Sequence, residues 1–205
     1  MKFATLFTAL FVTSLSYSNQ VYAWDLEPTD EASPVKVWTQ SVEGSSFKEF
    51  KGQVNINAPV NKILNVIRDT DNLPKWYYNT KQAKQLKKLS DSQALSYTVT
   101  KTPWPVTDRD SVTLSTQSSL DNGGYLIDLQ AQPNAYPKQP DKIRVPKMQG
   151  FWKLEPVAKN KTSVTLQIAA EPGGEIPSWL ANSMVIDMPF YTLTNLKQRI
   201  EQNPK

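Results

Sequence analysis

A guanidinium flanked by two carboxylates, Asp108-Arg109-Asp110, is the triplet of this chain best equipped to do chemistry. On a strand the two aspartates share one face, the arrangement of a general acid–base pair or of two oxygen ligands to a hard cation. The arginine between them and the lack of further clustered acids argue against calcium, which takes six or more oxygens, so a strand-start motif is the simpler reading. The 205 residues include no His and no Cys. That excludes disulfides, thiolate or imidazole metal sites, cysteine nucleophiles, Ser-His-Asp triads and histidine acid–base catalysis. Carboxylate, lysine, tyrosine and arginine chemistry remains, or none; no cofactor and no metal are expected.

A second set of side chains could line an apolar cavity: Trp76, Tyr78, Tyr97, Trp104, Tyr125, Tyr136, Trp152, Trp179, Met184, Met188 and Phe190. Singly, such residues build ordinary cores. Met184 and Met188 lie one helical turn apart and share a face, where flexible thioethers suit varied acyl chains. Lys81, Lys84, Lys87 and Lys88 form a basic patch, read as a solvated strand edge guarded by lysines or as a contact for anionic headgroups.

The elements that must position these groups follow from periodicity. Residues 24–34 read as an acidic, unpatterned N-terminal arm. Val35–Thr39 and Phe47–Asn57 alternate as strands around a turn at Glu43-Gly44-Ser45-Ser46, predicting a hairpin. Asn57-Ala58-Pro59 then reads as an N-cap with proline in the first turn, followed by Val60, Ile63, Leu64 and Ile67 at one-sided helical spacing. Candidate strands follow at Lys81–Leu89, Ala94–Lys101, Asp110–Gln117, Tyr125–Ala131, Lys142–Leu154 with a break at Gly150, and Thr162–Ala170. Asn134–Pro140, with its two prolines, reads as a mobile loop able to rim a cavity. Past Gly173-Gly174 a long amphipathic helix is predicted, kinked at Pro189. The order predicts one α+β domain over residues 35–203: a curved antiparallel sheet wrapped around a long C-terminal helix, with an apolar cavity between them.

Lys2, an apolar stretch from Phe3 to Leu15, and Val21-Tyr22-Ala23 read as a secretory signal over residues 1–23, cleaved after Ala23. The apolar stretch is too short to span a bilayer. The expected address is exported: the periplasm in a Gram-negative cell, or the medium. Apolar residues at 39% and charged residues at 20% point to a globular chain. The net charge of +4 is too mild to imply nucleic acid.

Pro103-Trp104-Pro105-Val106-Thr107-Asp108-Arg109-Asp110, preceded by Leu73-Pro74-Lys75-Trp76, resembles START domains, the helix-grip lipid-binding modules of the Bet v 1-like superfamily. Gly174 to Arg199, opening on Ile176-Pro177-Ser178-Trp179-Leu180-Ala181-Asn182, resembles that family's lid helix. The likeness runs from about Ser33 to Glu201. It implies a non-enzymatic monomer holding one lipid or other hydrophobic small molecule (a phospholipid, a fatty acid or a sterol-like compound) for transfer or sensing, with transient membrane contact. It also implies that Arg109 sits at the cavity wall beside an acidic partner; Lys75 stands where that acid is expected, leaving Asp69, Asp71 or Asp108. Two rival readings are a polyketide aromatase/cyclase-like enzyme using Arg109, Tyr97 and Tyr125, and an envelope interaction module with a filled core.

Overall fold

The computed structural model describes residues 23–202; the secretory signal expected over residues 1–23 lies, but for Ala23, outside them. Ten strands and two helices follow in chain order: β1 (Asp25–Leu26), β2 (Lys36–Gln40), β3 (Glu49–Ile56), α1 (Val60–Arg68), a 3-10 turn (Thr70–Lys75), β4 (Thr80–Lys88), β5 (Gln93–Thr100), β6 (Arg109–Ser119), β7 (Tyr125–Ala131), β8 (Ile143–Arg144), β9 (Lys147–Ala158), β10 (Lys161–Glu171) and α2 (Ser178–Gln202). The strands form one curved sheet in the order β1-β2-β3-β10-β9-β7-β6-β5-β4, with the short β8 running parallel to β6. All other pairings are antiparallel. From β4 to β7 neighbours in sequence are neighbours in the sheet, as hairpin chemistry requires; the DNGG turn joining β6 to β7 places Gly123 at φ +78°.

The α2 helix lies against β2 and β3. Its Leu193, Leu196 and Ile200 join Val37, Phe50, Val54, Ile56, Leu154, Val164 and Leu166 in the main core, and α1 adds Ile63, Leu64 and Ile67. The approach is close at Gly52, where a Cβ would stand 2.7 Å from Leu193 Cδ1 and 3.0 Å from Pro189 Cβ. α2 continues through Pro189.

Four local expectations are corrected. The arm at residues 24–34 is not wholly unpatterned: Asp25 and Leu26 pair with β2, and Trp24 and Trp38 both face the Lys51 ammonium, at 4.5 and 4.8 Å. The cap of α1 is Pro59, not Asn57; the Ala58 carbonyl is held by the Thr162 hydroxyl at 2.8 Å, which keeps that residue out of the helix. The break expected at Gly150 falls instead at Val145-Pro146, between β8 and β9. Gly150 lies inside β9 because β10 passes so close that a Cβ would meet the Gln167 carbonyl oxygen. The proline-bearing loop is tied down: Arg144 donates to the carbonyls of Pro133, Tyr136 and Pro137.

Candidate ligand cavity

Between the sheet and α2 lies a cavity of about 280 Å³. Strand alternation decides its lining. On β5 the residues facing it are Ala94, Ser96, Thr98 and Thr100, with Gln93 at the strand's first position; on β6 they are Arg109, Ser111, Thr113, Ser115 and Gln117. The two strands pair so that Ser96 stands beside Thr113, Thr98 beside Ser111, and Thr100 beside Arg109, with Thr80 of β4 next in that row. One wall is therefore a double ladder of hydroxyls. Across the β6–β7 boundary the wall turns apolar, with Ile127 and Leu129 of β7, Met148 and Trp152 of β9, and Ile168 and Ala170 of β10. Met184 and Met188 of α2, with Ile67, Leu73 and Tyr77, add further apolar side chains to the lining.

The apolar alternates of the ladder, Tyr97, Val99 and Val112, point to the opposite face of the sheet. There they form a second small core with Leu86, Leu95 and Tyr136. Tyr136 belongs to the loop that Arg144 pins, and its ring lies 5.1 Å from that of Tyr97. This loop covers the outside of the sheet rather than rimming the cavity. Burial, and then the neighbouring Asp110 carboxylate, push the Tyr97 phenol up to about 12.

Arg109 is 1% exposed. Its Nη1 donates to the Thr107 carbonyl at 2.6 Å, and its Nη2 to the carbonyls of Gly173 at 3.1 Å and Glu175 at 3.3 Å. Its Nε is buried without a partner. The acidic partner expected for it is absent among the described residues, and the reason is geometric. Asp110, next to Arg109 on β6, faces away from it, and Asp108, just before the strand, hydrogen-bonds elsewhere. Asp108 accepts from Lys81 Nζ at 3.1 Å and from the Thr102 N–H at 3.0 Å. Asp110 accepts two bonds of 2.9 Å from Arg144. Asp69 holds the Asn72 amide and Asp71 the Gln85 N–H. With burial as the dominant influence, the Arg109 guanidinium is held below its ordinary value. Among the described residues no cluster of three or more His, Cys, Asp or Glu could hold a metal.

Of the twelve side chains singled out from the sequence, the structure brings Arg109, Trp152, Met184 and Met188 to the cavity. The other eight lie elsewhere. Trp76 is buried behind the wall, its ring 6.2 Å from Trp152 and 5.6 Å from Tyr77, and its carbonyl accepts from Asn195. Tyr78 stacks on Tyr191 at 4.8 Å. Tyr97 and Tyr136 are in the outer cluster, and Tyr125 and Phe190 pack beside the main core. Trp104 is 92% exposed and Trp179 56% exposed. Tyr77, absent from the expected set, does line the cavity; burial raises its phenol, which reaches Met188 Sδ at 3.9 Å. The hydroxyl ladder was also missed. Its signal was present as a polar residue at every second position of β6 from Arg109 to Gln117, matched by Ser96, Thr98 and Thr100 on β5.

A curved antiparallel sheet closed over an internal cavity by a C-terminal helix is the helix-grip architecture. The START domain family model matches residues 18–204. The chain belongs to the START domain family. It is 37% identical over 195 residues to an uncharacterized protein of Pseudomonas aeruginosa, covering 95% of this chain and 96% of that one. It is 29% identical over 157 residues to the phosphatidylcholine transfer protein of Rattus norvegicus, covering 74% and 72%. Among solved structures, a STAR-related lipid transfer protein from Xanthomonas axonopodis superposes with a TM-score of 0.80 at 35% identity, covering 87% of this chain and 99% of that one.

Proposed function

We propose that this chain is an exported carrier that takes up one hydrophobic ligand, a phospholipid, fatty acid or sterol-like molecule, for transfer or sensing, without catalysing a reaction. The observation that carries this reading is Arg109: a guanidinium buried at the end of a half-apolar cavity, with no carboxylate beside it and one N–H still unpartnered. Such a group suits a phosphate or carboxylate headgroup. The apolar wall would take the hydrocarbon, and burying it there stabilises by about 25 cal/mol per Å². A volume of about 280 Å³ is at the small end for ligand cavities, which favours a single chain or ring system. The lipid-transfer names of the rat and Xanthomonas relatives support the same class of cargo.

Export rests on the leader-like residues 1–23. Among the described residues no helix is long and apolar enough to cross a membrane. Trp104 and Trp179 stand exposed on the two segments that Arg109 ties together, 103–107 and 173–179. Indoles favour the headgroup layer of a bilayer, so this end of the molecule is the candidate for transient membrane contact. The lysines of β4 lie on the outermost strand of the sheet, where edge protection accounts for them. An aromatase/cyclase-like reaction is the weaker alternative, because its two tyrosine candidates, Tyr97 and Tyr125, lie off the cavity.

The test is native mass spectrometry of the leaderless protein, purified from its own envelope without detergent, followed by extraction of what it holds. A stoichiometric hydrophobic adduct is expected. An empty protein that also takes up no fluorescent fatty acid, phospholipid or sterol would overturn the reading.

A further inference from the structure

The two walls of the cavity differ in chemistry along its whole length, and this division, granted the carrier reading, says more about the ligand. The boundary runs parallel to the strands, between β6 and β7. It does not separate a polar end from an apolar end: Arg109 stands at one end, and Arg68, Lys88 and Gln93 line the other, near Gln117. The hydroxyls of Thr98, Thr100, Ser111 and Thr113 make no hydrogen bond to another described residue, although their backbones are fixed in the sheet. A plain hydrocarbon chain laid against them would displace their water and give nothing back, a loss that recurs at each rung. The same chain laid against Ile127, Leu129 and Trp152 would be well placed.

Two buried atoms set the direction of the missing partner. Arg109 Nε is a donor without an acceptor, and Gln117 Oε1 is an acceptor without a donor. They stand on the same face of β6, eight residues and so about 27 Å apart at roughly 3.4 Å per residue, at opposite ends of the ladder.

We propose that the ligand is a facial amphiphile: polar along one long edge, apolar along the other, with an anionic or strongly accepting group at the Arg109 end. A hydroxylated ring system or a chain bearing several hydroxyl or amide groups on one side has this chemistry. A fatty acid or a simple two-chain lipid, polar at one end only, does not.

Calorimetric titration of the delipidated protein with two carboxylate probes tests this. Cholate carries its hydroxyls on one face of a rigid apolar ring system; palmitate is polar at its end alone. Cholate should bind more tightly. The double variant Thr98→Val/Ser111→Ala should weaken cholate by about tenfold, the effect of one or two neutral hydrogen bonds, and leave palmitate unchanged or tighter. Thr98→Ser/Ser111→Thr, which keeps both hydroxyls, should retain cholate binding and separates the polar contact from a packing defect. Palmitate bound more tightly than cholate, or equal losses for both probes in the hydroxyl-free variant, would overturn the facial assignment and leave the carrier reading standing. Binding of neither probe would overturn the facial assignment, and the envelope-purified protein then decides the carrier reading separately.

Discussion

Arg144 donates two hydrogen bonds of 2.9 Å to the Asp110 carboxylate while both side chains are almost fully buried. The same guanidinium gathers three loop carbonyls, so it both neutralises an interior carboxylate and fixes the 133–137 turn over the outer face of the sheet. Removing one member of a buried pair strands the other. Arg144→Met is therefore expected to cost about 3–5 kcal/mol in urea unfolding, and adding Asp110→Leu should recover a large part of it. Additive losses in the double variant would show that the two charges do not depend on each other. Arg109 is a different case despite its place in the same sequence block. Its hydrogen-bond partners are carbonyls; Asp110 is turned away by the alternation of the strand, and Asp108 is held by Lys81 and Thr102.

At the scale of elements, the sheet is drawn tight at two glycines of different kinds. A Cβ at Gly150 would meet the backbone of β10, whereas one at Gly52 would first meet the tip of Leu193. A side-chain tip can rotate; a strand held on both sides cannot. Gly150→Ala should thus fall at or beyond the upper end of the roughly 1–3 kcal/mol typical of overpacking, and Gly52→Ala well below it. Equal urea midpoints for the two variants would refute this. The same contrast explains what the sequence made legible. Strands β5, β6, β7 and β10 could be read because their alternation and turn residues are local signals. The uninterrupted course of β9 through Gly150 could not, because that glycine answers to β10, a non-local neighbour. The start of α1 depended on a hydroxyl from Thr162, over a hundred residues away in the chain. The ladder was missed for a sharper reason. Alternation reveals that a strand has two faces, and the usual inference that the apolar face looks inward fails where a distant loop covers it.

The whole molecule should respond to its cargo as a single folding unit, since the cavity draws walls from β4 to β10 and from both helices. A ligand bound only by the folded chain, at a hundred times its Kd, adds about 2.7 kcal/mol. For a chain of this size each kcal/mol moves the midpoint by about 2–4 °C, so reloading the delipidated protein with its extracted lipid should raise Tm by about 5–10 °C. An unchanged midpoint at saturation would mean that the lipid is not held by the folded cavity. The covered outer face of β5 and β6 carries one more consequence. Those strands are anchored from behind by Tyr97, Val99, Val112 and the Tyr136 loop, so, Arg109 apart, their inward residues hold little of the fold together. Serine and threonine there can be exchanged for alanine or valine at small cost to folding. Over generations the cavity's taste in ligands is free to drift one rung at a time while the backbone stays put, and a protein engineer could retune it by the same route.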